Sequence, residues 1–204
     1  MNTPFRAVGF ALLCLQAAFA CAADLDGTWA SDSRTKGGLG SQWEFGSKGD
    51  ATYTFGALVD FRYETKPGAI KFTLVTTDGT QPPPSDFQPY TLQGDTLTLD
   101  PDSAQKRQVM TRVGHADASN PLVGEWTYKH ATGGPAFMRY SRKGLVQLLV
   151  PLKTFAGAWK MDGDAMRLEL PGGQSPLVAK RVSEDVLSIR DNQGTEATYR
   201  RFRY

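Results

Sequence analysis

Two histidines and a few closely spaced aspartates are the first residues in this 204-residue chain that could do chemistry. A metal site needs imidazoles or thiolates at ligand spacing. His115 and His130 stand apart, with no cysteine near either, so no metal centre is expected. Asp100 and Asp102 in "LDPDSAQ", and Asp162 and Asp164 in "MDGDAM", have the opening of a calcium loop. Neither runs on to the later acidic ligand that such a loop requires. Aspartate and glycine are also what hairpin turns select, and the turn reading is adopted. No Gly-x-Ser-x-Gly elbow presents a nucleophilic serine. "KGGLG" (36–40) lacks the strand-to-helix setting of a phosphate loop. The expectation is a non-enzymatic chain with no catalytic residue, metal or cofactor.

What positions these residues begins with an address. "MNTPFR" carries one positive charge, "AVGFALLCLQAAFA" is apolar, and "ACAA" closes with small residues. That layout predicts a signal peptide over residues 1–23, cleaved near Ala23, and a periplasmic or secreted protein. Lipidation at Cys21 is the alternative. Cys14 and Cys21 are the only cysteines, so the mature chain is expected to form no disulfide. No other stretch is apolar enough for a transmembrane segment. The mature chain is close to neutral, which argues against a nucleic-acid partner.

Past the signal the chain repeats itself. "DLDGTWASDS" (24–33) and "PLVGEWTYKH" (121–130) share a Leu-x-Gly-x-Trp phrase. "WEFGSKGD" (43–50) and "MRYSRKGL" (138–145) each place an aromatic before a basic-Gly turn, Phe45 to Gly49 and Tyr140 to Gly144. "YETKPGAIKFTL" (63–74) parallels "WKMDGDAMRLEL" (159–170), and "LQGDTLTLDPD" (92–102) parallels "VSEDVLSIRDN" (182–192). Each half closes on an arginine-bearing strand, "QVMTRV" (108–113) and "ATYRRFRY" (197–204). Landmarks recurring in one order mark an internal duplication.

Within each half, "IKFTL" and "MRLEL" alternate apolar and polar residues, the period of a strand with one buried face. Gly-containing turns follow at short intervals, and no window has helical spacing. The prediction is an all-β protein of two tandem antiparallel meander or barrel units, with about eight short strands each. The first unit spans 24–114, a polar linker 115–120, and the second unit 121–204. "DGTQPPPSDFQP" (78–89) is expected to be an extended loop inserted into the first.

A Gly-x-Trp strand, a run of hairpins and a final-strand arginine resemble the calycin superfamily, with bacterial lipocalin-like domains as the nearest group. That resemblance implies a tryptophan closing one end of a barrel with an arginine packed across its ring. The implied pairs are Trp29 with Arg112, and Trp126 with Arg201 or Arg200. Guanidinium over indole is a stabilising cation–π arrangement.

Charge is split between the halves. Residues 24–120 hold 9 basic and 13 acidic residues, and residues 121–204 hold 13 basic and 8 acidic. Tyr140, Arg142, Lys143, Arg200 and Arg203 form a candidate partner-binding patch for an anionic glycan or protein. Two competing readings are solvated strand edges and mutual attraction between oppositely charged halves. The expected function is an exported lipocalin-like binding protein for a small apolar ligand or a protein or glycan partner. The alternative is a periplasmic inhibitor directed at a secreted enzyme.

Overall fold

The computed structural model describes residues 25–76, 80, 82–163, 165–172 and 176–204. The expected signal peptide and its expected cleavage near Ala23, both cysteines and Asp164 lie outside the described residues. The first half supplies β1 (Gly27–Ser31), β2 (Leu39–Phe45), β3 (Asp50–Lys66), β4 (Ala69–Val75), β5 (Gln88–Gln93), β6 (Thr96–Leu99) and β7 (Gln108–Val113). The second supplies β8 (Gly124–Lys129), β9 (Pro135–Tyr140), β10 (Leu145–Asp162), β11 (Ala165–Glu169), β12 (Leu177–Ser183), β13 (Val186–Arg190) and β14 (Glu196–Phe202). The protein is all-β, with no helix among the described residues. Consecutive strands pair antiparallel and β14 returns to β1, so the sheet closes as one ring of fourteen.

Two strands are not short. β3 has 17 residues and β10 has 18, and they pair with each other from Asp50↔Ala158 to Arg62↔Leu145. This pairing crosses the ring and divides it into two eight-stranded circuits. The β1 lobe runs through β1, β2, the start of β3, the end of β10 and β11 to β14. The β8 lobe runs through the remainder of β3, β4 to β9 and the start of β10.

The structure departs here from the expected tandem units. Each lobe is assembled from both halves of the sequence, because β3 and β10 each leave one lobe and enter the other without turning. Nothing in residues 50–66 forms a turn, and the strand ends only at Pro67 and Gly68. The glycine in its middle, Gly56, marks a close approach instead of a turn. A Cβ there would lie 2.2 Å from the Val150 carbonyl, where β10 bulges between Pro151 and Lys153. Residues 115–120 do not link two units either. They join β7 to β8, which pair within the β8 lobe.

Each lobe has its own core. Trp29, Trp43, Phe45, Trp159, Leu168, Leu187 and Tyr199 fill the β1 lobe. Ile70, Leu97, Met110, Trp126, Met138, Tyr140 and Val146 fill the β8 lobe. A small third cluster of Ala30, Leu58 and Leu149, with Phe137 against it, joins the outward faces of the lobes.

Candidate functional site

The repeated Gly-x-Trp phrase has a physical basis in both lobes. Gly27 and Gly124 adopt φ of 119° and 128°, a region that side-chain-bearing residues rarely enter. This turns the strand so that Trp29 and Trp126 point inward with no exposed surface. Each indole N–H then donates to the carbonyl four residues earlier, Leu25 at 3.0 Å and Leu122 at 2.9 Å. The tryptophans therefore occupy matching places.

Their arginines are exchanged relative to the expected pairs. Arg201 lies over Trp29 at 4.5 Å, and Arg112 lies over Trp126 at 4.1 Å. The expected pairs, Trp29 with Arg112 and Trp126 with Arg201, are corrected by the strand order: β14 neighbours β1, and β7 neighbours β8. Arg112 also bonds Asp95 at 3.0 Å and the carbonyls of Val123 and Pro121. These four residues close the lobes and belong to the cores.

The basic patch does not hold together as a docking face. Tyr140 has no exposed surface, because β9 turns Ala136, Met138 and Tyr140 into the β8 lobe. Its hydroxyl has no hydrogen-bond partner, and burial pushes its pKa up. Tyr199 is buried as well, with its hydroxyl 2.9 Å from Ser41 Oγ. The patch arginines are exposed but paired: Arg142 with Asp117, Arg200 with Asp32 at 2.8 Å, and Arg203 with Asp185 at 2.7 Å. Lys143 stays exposed in the β9–β10 turn. Their partners were not recognisable from spacing, since each lies in a distant or turn segment.

The charge that matters lies at the seam between lobes. Arg139 points away from the β8 core and is 2% exposed. Its Nη2 donates to Glu44 Oε1 at 2.6 Å, its Nε to Glu125 Oε2, and its Nη1 to Gln42 Oε1. Gln42 in turn donates to Glu44 at 2.8 Å. Burial alone would lower the Arg139 guanidinium, but the Glu125 and Glu44 charges outweigh it and hold it above its ordinary value. Burial pushes the Glu44 carboxyl up, against the pull of Arg139. This node joins β2 of one lobe to β8 and β9 of the other, and sequence reading missed it. The signal was present, because Glu44 precedes Phe45 as Arg139 precedes Tyr140.

Above the node opens a cleft of about 600 Å³. Its walls come from Thr28, Glu44 and Phe45 on one lobe, and Val113, His115, Asp117 and Glu125 on the other, with Tyr204 across one side. Glu44 and Glu125 each engage Arg139 through one oxygen. The Tyr204 hydroxyl lies 3.4 Å from Glu125, and burial pushes it up to about 12. Asp117 accepts bonds from the Ser119 hydroxyl and the Ser119 and Asn120 backbone N–H groups, which hold it below the usual carboxylate range. His130 is elsewhere, in the turn after β8, with Nδ1 3.0 Å from Thr132 Oγ1. Asp100 sits in the turn after β6 and Asp162 at the β10–β11 hairpin. Among the described residues, no group of three or more His, Cys, Asp or Glu side chains could hold a metal. No helix among them is long and apolar enough to cross a membrane.

Fold and site together define a two-lobed antiparallel β-ring with a cleft of mixed polar and apolar lining at the lobe junction. No protein-family model matches the chain, and no curated protein matches it.

Proposed function

We propose that the chain is an exported, non-catalytic binding protein of lipocalin-like ancestry whose ligand sits in the seam between lobes. The observation that carries this reading is the interlobe cleft of about 600 Å³, walled by both lobes and including Glu44 and Glu125, the two carboxylates bonded to Arg139. Clefts at such junctions are where soluble proteins most often place small ligands. Phe45, Val113 and Val123 give it an apolar part, and Glu44, Glu125, Asp117 and Tyr204 give it convergent polar groups. Both glutamates are held by Arg139, which fixes their orientation for recognition. In this reading the ligand has both polar and apolar surface, where the sequence led to a small apolar ligand or a protein or glycan partner.

The test is native mass spectrometry of the mature chain incubated with a protein-depleted periplasmic extract. A bound adduct should be retained by the wild type and lost from Val113→Trp, which fills the cleft from an exposed position. An adduct unaffected by that substitution, or none at all, would remove the reading.

A further inference from the structure

The interlobe cleft presents two carboxylates and keeps the cation between them out of reach. Arg139 is 2% exposed and is not part of the lining, whereas Glu44 and Glu125 both are. We propose that this cleft binds a primary ammonium group carried on an apolar body. This rests on the seam-binding reading above and names the ligand class for it.

The uncommitted oxygens select the head group. Bonds within the node use only Glu44 Oε1, reached by Arg139 and Gln42, and Glu125 Oε2, reached by Arg139 and Tyr204. Glu44 Oε2 and Glu125 Oε1 make no hydrogen bond among the described residues, and neither is a buried atom. The two side chains keep 44% and 17% of their surface exposed. An ionised carboxylate only accepts, so both open oxygens take donors. A phosphate or carboxylate ligand has none to offer and would meet like charge. A quaternary ammonium brings the charge without an N–H. A primary ammonium brings three donors on one charged atom, enough for both oxygens.

Charge separates an ammonium from a neutral donor such as a hydroxyl. Two carboxylates share the single guanidinium of Arg139, so the node is left with negative charge in excess. The other charged side chains at or behind the cleft are matched, Asp117 by Arg142 and Arg112 by Asp95. Burial first, and the Glu125 charge after it, push the Glu44 carboxyl up against the pull of Arg139. A second cation at the open oxygens supplies the missing counter-charge. Among the described residues no group of three His, Cys, Asp or Glu side chains is placed for a metal ion, so the donor set suits an organic cation. Val113 and Tyr204 line the same cleft and are 43% and 42% exposed, which gives the body of such a ligand apolar surface to cover.

Calorimetric titration of the full mature chain decides the matter with four probes that share a phenyl body. They are 2-phenylethylammonium, its N,N,N-trimethyl cation, 2-phenylethanol and 3-phenylpropanoate. The primary ammonium should bind saturably, the trimethyl cation and the alcohol roughly tenfold more weakly, and the carboxylate not at all. This comparison uses the wild type alone and does not depend on any variant folding. Glu44→Gln and Glu125→Gln should each weaken the ammonium roughly tenfold, and Val113→Trp should abolish its binding. Glu169→Gln, the same change of charge at an exposed position on β11, should leave it unchanged. Equal affinity for the trimethyl cation or the alcohol would overturn the assignment. So would preference for the carboxylate, or ammonium binding that survives Val113→Trp or both glutamine variants. Should the ammonium not bind while Val113→Trp still abolishes the native adduct, the ammonium class fails and the seam reading stands.

Discussion

Glu44 and Arg139 hold the same position in the two copies of the repeat, and they are bonded to each other at 2.6 Å. In two identical copies these positions would carry the same residue and like charges would meet. In this chain the two positions differ and carry opposite charges. This is also where the charge split between the halves acts directly, across the seam.

Removing Arg139 should therefore cost far more than a surface ion pair. Arg139→Ala leaves Glu44 and Glu125 close together without their shared cation, a loss of about 3–5 kcal/mol. Arg139→Met, which keeps the volume, should recover part of it. Exchanging the pair, Glu44→Arg with Arg139→Glu, should be more stable than the sum of the single substitutions implies. Urea denaturation across the full double-mutant cycle measures that coupling.

The exchanged tryptophan–arginine pairs have their own signature. Arg112→Ala should shift the indole N–H resonance of Trp126 and leave that of Trp29 in place, and Arg201→Ala should do the reverse. Proton–nitrogen NMR reads both. Either tryptophan replaced by alanine should lose about 3–5 kcal/mol, as for a large core side chain.

How much of this was legible depends on what the recurring phrases leave distinguishable. The inward tryptophans, their glycines and the need for an arginine over each ring follow from residue type and spacing. Which arginine serves which ring does not follow. Arg112 and Arg201 are alike in type and setting, and trading them between copies preserves every local contact. The alternation through "ATYTFGALVDFRYETK" was readable as strand, but a strand's period carries no statement of which lobe it serves. Tyr140 was assigned to the surface because basic residues surround it in sequence, while the pleat of β9 places it inward. The seam node was hidden because its members come from strands far apart in the chain.

Tyr140 gives a small, sharp test. Its buried hydroxyl makes no hydrogen bond, so Tyr140→Phe should be neutral or stabilising by up to ~1 kcal/mol in chemical denaturation.

Acid should act on the seam and on the β7–β8 loop in opposite senses. Burial raises the Glu44 pKa in the folded protein, so the folded state holds that proton more tightly than the unfolded chain does. Its contribution is present below the ordinary glutamate value and is lost as pH rises through the folded pKa. Asp117 is lowered, so its contribution is present above the ordinary aspartate value and is lost as pH falls. Denaturation midpoints across the acidic range should show Glu44→Gln gaining on the wild type towards neutrality. Asp117→Asn should lose its deficit as the solution is acidified.

The loop at residues 115–120 connects neighbouring strands of one lobe while the covalent crossings between lobes run through β3 and β10. A protease cut in that loop releases no domain. Each fragment carries part of both barrels, and the two remain clasped until both barrels open. Without the loop, two half-chains would have to find each other in solution and their union would vary with concentration. The loop makes that meeting intramolecular, at an effective concentration on the order of millimolar.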